Sequence, residues 1–229
     1  MYGNMMLDLE TLGKRAGCAV LSIGACMFDM VGDRVGPTFE VYINSVESLN
    51  AGLTIDPETL AWWLTPEQAE AARMVLPKAA ASTVSPAQAL RALFAWMDSQ
   101  EAAPRAGLYA WSRGANFDLP IIGAMAAAVG MEVPWPFYNE RCQRTMMAWY
   151  TWEVAKMPKV APATLKHSAA ADADYQARAL VAAHQAYYSK VSQYAVAEVT
   201  QDVTRDPPPE PVRVAKAGEV IGRAACGEG

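Results

Sequence analysis

In the stretch MLDLETLG (residues 6–13), Asp8 and Glu10 stand two residues apart at the end of an apolar run. Strand side chains repeat with period two, so this spacing puts both carboxylates on one face of an extended segment. Buried charge of one sign is costly, and the pair calls for a bound cation or a solvent-filled cleft at the strand end. Two later stretches carry groups of the same kind. Asp118, in WSRGANFDLP (111–120), opens a helix just after a short apolar strand. His167 and Asp172, in KHSAAADADYQA (166–177), lie five apart at the start of a late, alanine-rich helical segment.

In an open α/β sheet, strand ends and helix starts converge on the rim where ligands bind. If these segments meet there, four carboxylates and one imidazole share a pocket. Mutual repulsion would then raise several of the carboxylate pKa values unless a cation intervened. Oxygen-only ligands suit Mg²⁺ or Mn²⁺, and two such ions roughly 3.5–4 Å apart form a clamp for in-line displacement at phosphorus. His167, with an unperturbed pKa of about 6.5, suits the role of general base for an attacking water. Taken singly, each group has a plainer role. Asp8 and Glu10 fit a turn, Asp118 an N-cap, and Asp172 the first turn of a helix dipole. The joint pattern is what selects chemistry.

The elements that must position these groups are legible from patterning. NMMLDL and AVLSIGACMF are apolar runs of strand length, and TFEVYI alternates Phe39, Val41 and Ile43 with polar partners. Gly32 and Asp33 supply a hairpin-like turn between the second and third runs, so three consecutive antiparallel strands open the chain. Helix starts follow at Asp56–Pro57, at Thr65–Pro66 with Gln68 at capping-box spacing, and at Ser85–Pro86 with Gln88. The last of these lays Leu90, Leu93, Phe94 and Met97 on one face. GLYAW reads as a central strand, and FDLPIIGAMAAAVG as a helix with Pro120 in its first turn and Gly130 at its C-cap. Residues 163–189 are helical in pattern. The order of elements predicts an α/β fold with a mixed central sheet flanked by helices.

Composition sets outer limits. The 229 residues are 52% hydrophobic and 19% charged, which suits one domain with an ordinary core. We expect that domain over residues 1–195 and a flexible tail over 196–229, where prolines cluster. No run of about 18 apolar residues exists, and the N-terminus lacks the pattern of a signal peptide, so a cytoplasmic protein without a membrane partner is expected. Cys18, Cys26, Cys142 and Cys226 lack metal-site spacing and read as reduced thiols. The formal charge of −5 argues against a general nucleic-acid coat. Between Asn139 and His167, however, Arg141, Arg144, Lys156, Lys159 and Lys166 outnumber Glu140 and Glu153, as a local phosphate track or a solvated face would require.

The stretches MLDLETLG, GANFDLPII and HSAAADADYQA resemble, in order and type, the three motifs of the DEDD exonuclease superfamily. They match its DEDDh subclass, in which histidine precedes the last aspartate by five residues. The TLG…SIGACMFD opening, the WW pair and the PW…RCQRT segment look most like a phage-type group related to exonuclease VIII and to small bacterial exoribonucleases. The resemblance spans roughly Met5 to Tyr188. It implies a ribonuclease H-like fold and a 3′–5′ exonuclease that uses two Mg²⁺ or Mn²⁺ ions to release nucleoside 5′-monophosphates from a free 3′ end of DNA or RNA, single-stranded by expectation. Asp8, Glu10, Asp118 and Asp172 would be metal ligands and His167 the base. Thr11 and Leu12 would flank the terminal nucleotide, and Phe117, next to Asp118, is a candidate for base stacking. The resemblance also raises the expectation of a homodimer. Close phage relatives often have an acid where this chain has Ala171. Asp174, the alternative to Asp172, would point about 200° away on a helix.

Two other functions fit part of the pattern. DLETL is close to the opening of haloacid dehalogenase-type phosphatases, but Glu10 is one methylene too long for their second aspartate, and the later lysine and acidic pair they need are not found. A non-catalytic nucleic-acid or partner-binding module on the same fold would not require all five site residues.

Overall fold

The computed structural model describes residues 1–114, 116–151 and 168–202. Five strands form one mixed sheet: β1 (Asn4–Thr11), β2 (Val20–Asp29), β3 (Arg34–Tyr42), β4 (Tyr109–Ser112) and β5 (Glu140–Cys142). The order across the sheet is β3-β2-β1-β4-β5. Strands β1 to β3 pair antiparallel, as a turn at residues 30–33 requires, while β4 joins β1 and β5 joins β4 in parallel. Asp33 takes a positive φ of 50° in that turn, a conformation that aspartate tolerates better than most residues.

Between β3 and β4 lie α1 (Ser45–Asn50), α2 (Pro57–Trp63), α3 (Ala69–Ala81) and α4 (Pro86–Ser99). After β4 come α5 (Asp118–Ala128), α6 (Gln143–Thr151) and α7 (Ala169–Asp202). The caps at Asp56 and Ser85 form as the sequence predicts, with Ser85 and Gln88 closing a reciprocal capping box. The box expected at Thr65 does not form. Its hydroxyl instead donates back to the Trp62 carbonyl at 2.9 Å, and Pro66–Gln68 make only a short 3₁₀ turn. Competition from a local backbone acceptor is the physical reason. GLYAW becomes β4, an interior strand beside the central β1. The three-residue β5 has no pattern by which sequence could find it.

Strand periodicity divides the core. Met5, Leu7 and Leu9 face a large apolar cluster that includes Leu90, Leu93, Ile121 and Met125. Met6, Cys26, Phe28 and Trp111 face a second cluster on the opposite side, closed by Tyr150 of α6 and by Ala173, Ala177, Leu180 and Val181 of α7. Asp8 and Glu10 continue the Met6 face, beyond the point where the second cluster ends. Cys18 and Cys26 are buried and Cys142 is partly exposed; Cys226 lies outside the described residues.

Residues Met1–Val191 form one compact unit, and Ser192–Gly229 a second. Helix α7 runs through Asp202, into the stretch expected to be a tail, and residues 203–229 lie outside the described residues. Among the described residues, no helix is long and apolar enough to cross a membrane.

Candidate active site

One row of residues across three strands lays the floor of the site. Asp8 on β1 pairs with Gly24 on β2, which pairs with Glu40 on β3. The first turn of α7 rests on this row. A Cβ built on Gly24 would lie 1.9 Å from the carbonyl carbon of Ala169, so only glycine admits the helix this closely. Glu40 then caps the helix: its Oε1 accepts from the Ser168 hydroxyl at 2.8 Å and from the Ala170 N–H at 3.4 Å. A carboxylate at a helix N-terminus is favoured by the exposed N–H groups and the dipole there.

Docked in this way, α7 carries Asp172 to the acids of β1. Asp8, Glu10 and Asp172 each offer a carboxylate oxygen, and those oxygens all lie within 4.8 Å of one another. Asp174 points elsewhere and pairs with Arg178 at 2.7 Å.

Asp118 arrives from another direction. Strand β4 ends at Ser112, opposite Leu7, so the Leu9 N–H beyond it has no strand partner on that side. Asp118 Oδ1 accepts that N–H at 3.1 Å, which satisfies a buried backbone donor and ties the start of α5 to the end of β1. Asp118 is the first residue of α5 rather than its N-cap, a position held by Phe117 without a side-chain cap bond. Asp118 is buried at 4% exposure. The turn leading to it includes Gly114, at φ 125°, against which the Arg144 guanidinium packs.

The electrostatics are those of crowded acids. Burial, then repulsion from Asp118 and Glu10, raises Asp8 well above the usual carboxylate range. Burial and repulsion from Asp172 push Glu10 up to about 8. Burial raises Asp118 to about 6, an effect moderated by the Leu9 N–H, its own N–H and the charge of Arg144. Hard oxygen ligands gathered this closely fit a Mg²⁺- or Mn²⁺-sized cation, which would relieve the repulsion that holds protons on the acids.

Thus the structure brings Asp8, Glu10 and Asp172 together, with Asp118 hydrogen-bonded to the strand that bears the first two. His167 lies outside the described residues, as do Trp152, Lys156, Lys159 and Lys166. Thr11 and Leu12 are buried, and the Thr11 hydroxyl donates to the Gly13 carbonyl at 2.7 Å. The Thr11 carbonyl accepts from the buried Trp63 indole at 2.9 Å, which fixes the end of β1. Phe117 is partly buried against the larger core cluster. Sequence reasoning passed over Glu40 and Gln176, whose Nε2 donates to Asp8 Oδ1 at 2.7 Å, and met Arg144 only as one cation of the basic stretch after Asn139. Of the residues passed over, Gly24 alone left a signal, as a glycine inside an apolar strand.

Several solved nucleases share this fold. Cell-death related nuclease 4 (CRN-4) matches with a TM-score of 0.54 at 14% identity, over 78% of this chain and 62% of its own. The nuclease domain of 3′hExo, a DEDDh family member bound to rAMP, matches with a TM-score of 0.54 at 10% identity, over 79% of this chain and 90% of its own. E. coli exonuclease I, in a zinc-bound complex with single-stranded DNA, matches with a TM-score of 0.52 at 15% identity, over 87% of this chain and 42% of its own. The chain thus spans less than two thirds of the first and third of these proteins. The mixed sheet with flanking helices is the ribonuclease H-like fold that the sequence resemblance implies. No curated protein matches the chain in sequence. The profile of 3′–5′ exoribonuclease Rv2179c-like domains matches residues 3–184, which contain every acid of the site. The chain belongs to the family of 3′–5′ exoribonuclease Rv2179c-like domains, within the DEDD exonuclease superfamily.

Proposed function

We propose that this protein hydrolyses phosphodiester bonds one at a time from the 3′ end of single-stranded nucleic acid, RNA in the first instance, and releases nucleoside 5′-monophosphates. The observation that carries the reading is the convergence of Asp8, Glu10 and Asp172 within 4.8 Å, beside Asp118, in a chain of an exoribonuclease family. Asp8, Glu10, Asp118 and Asp172 would hold Mg²⁺ or Mn²⁺. When bound, such cations neutralise the phosphate and stabilise the leaving 3′-oxygen. The chain's own part is to hold four carboxylates in one place before substrate arrives, so that little reorganisation is needed at the moment of reaction.

His167, one residue before the Ser168 that Glu40 anchors, is assigned the general base that takes the proton of the attacking water. Arg144 is exposed and close enough to Asp118 to lower its pKa. We assign its guanidinium to a substrate phosphate, which such a fork matches well. The RNA preference rests on the family description, the DEDDh subclass on the histidine spacing, and the phage-type group on the TLG…SIGACMFD, WW and PW…RCQRT stretches.

RNA and DNA oligonucleotides of one sequence, labelled at either end and incubated with Mg²⁺, Mn²⁺ or chelator, test the reading. The expected result is immediate release of 3′ label as mononucleotide, a shrinking ladder from 5′ label, faster loss of RNA, and no reaction in chelator. Tight metal binding without nucleotide release would favour a non-catalytic binding module instead.

A further inference from the structure

We propose that Gln176 is the positioning residue for Asp8, holding one oxygen of that carboxylate so that the other is presented to a divalent cation. The inference rests on the proposed metal-dependent activity and concerns a residue with no place in the acid and histidine pattern.

Gln176 sits on α7 one helical turn after Asp172, at i+4, and therefore on the same face. It is 3% exposed. Its Nε2 donates to Asp8 Oδ1 at 2.7 Å. Its backbone carbonyl accepts from the buried Gln143 side chain at 3.4 Å. Gln143 begins α6, directly after β5, in the RCQRT segment. A chain of contacts thus runs from the sheet edge through Gln143 and Gln176 to Asp8.

The other half of the Gln176 amide argues for function. Its Oε1 is buried and accepts no hydrogen bond among the described residues. A buried amide with an orphaned oxygen is a poor packing element, and an apolar side chain of the same length would avoid that desolvation cost. What an apolar side chain cannot do is donate to Asp8. Asp8 is pressed by three neighbouring acids, Asp118, Glu10 and Asp172, and without a donor it has nothing to fix its rotamer against their repulsion. Outer-shell donors of this kind orient metal-binding carboxylates.

The test is a Mn²⁺ titration followed by electron paramagnetic resonance, on wild type and Gln176→Met, which keeps length and removes the donor. Gln176→Met is expected to bind Mn²⁺ about 10–100-fold more weakly while its melting temperature moves little. With RNA, its KM should stay unchanged, and kcat should recover as Mn²⁺ is raised. A merely structural role would lower the melting temperature and leave Mn²⁺ affinity intact. Affinity within twofold of wild type would overturn the proposal and leave the metal reading standing; a wild type that binds no Mn²⁺ would overturn both. If Gln176→Met does not fold, Gln176→Asn keeps the amide but withdraws it by one methylene, and the same loss of affinity is expected.

Discussion

Gly24 and Ala169 are in backbone contact, and that contact fixes the distance between the acids of β1 and the acid of α7. The nearest atoms to a Cβ placed on Gly24 are the carbonyl carbon of Ala169 at 1.9 Å, its oxygen at 2.1 Å and the Ala170 nitrogen at 2.3 Å. All three are backbone atoms, so no side-chain rotation relieves the clash. Gly24→Ala must therefore lift the start of α7, with a cost of about 1–3 kcal/mol as in other overpacked sites. Because Asp172 lies on the displaced turn, Mn²⁺ affinity should fall along with the melting temperature. Melting curves and a Mn²⁺ titration check both.

The pH dependence of stability follows from the raised carboxylates. Glu10 in the folded chain titrates at about 8 against an ordinary 4.5, and Asp118 at about 6 against 3.8. A folded state that holds protons more tightly than the unfolded chain loses that advantage as pH rises. The contribution of these groups is complete below about pH 4 and is lost by about pH 8. In chelator, the melting temperature should therefore fall across this window. Added Mg²⁺ should raise it far more at pH 8 than at pH 5, because the cation binds the deprotonated acids. Calorimetric melts at the two pH values, with and without Mg²⁺, give the comparison. Equal stabilisation at both would contradict the assignment.

Much of this architecture is legible in the sequence, and the parts that are not share a cause. The three opening strands, the Ser85 cap, the alternation that separates Met5, Leu7 and Leu9 from Met6, and the period-two placement of Asp8 and Glu10 are local properties of the chain. The Asp8–Gly24–Glu40 row is different in kind. It depends on the register between three strands, which apolar runs do not specify residue by residue. Glu40 looks like a solvent-facing strand acid until β3 is laid beside β2, and Gln176 looks like an ordinary helix residue until α7 is laid on β1. Thr65 fails as a box because a backbone oxygen lies nearer than its intended partner. For β5 the cause is length, since three residues cannot establish a period.

Arg144 should act on substrate. Arg144→Ala is expected to raise KM with little change in kcat, and to lower the slope of log affinity against log salt by about 0.7, as the loss of one single-strand phosphate contact predicts. Arg144→Lys should restore the slope. Fluorescence anisotropy with a labelled oligonucleotide, in Ca²⁺ to hold back turnover and over a series of salt concentrations, measures it.

His167→Ala should reduce kcat by roughly 10²–10⁴-fold, the usual contribution of a general base, with Mn²⁺ affinity unchanged. A loss of affinity instead would make the imidazole a ligand. Single-turnover rates beside a Mn²⁺ titration separate the two roles.

If Asp118 joins Asp8, Glu10 and Asp172 in holding the metal, removing its charge should stop cleavage at the 3′ end. The amide oxygen in Asp118→Asn can still accept the Leu9 N–H, so the tie between α5 and β1 survives while the charge is removed. The decisive measurement is nucleotide release from 3′-labelled RNA by wild type and by this variant at saturating Mg²⁺. Mononucleotide is expected from wild type and none above background from the variant, with both proteins folded. Undiminished release by the variant would contradict that role of Asp118.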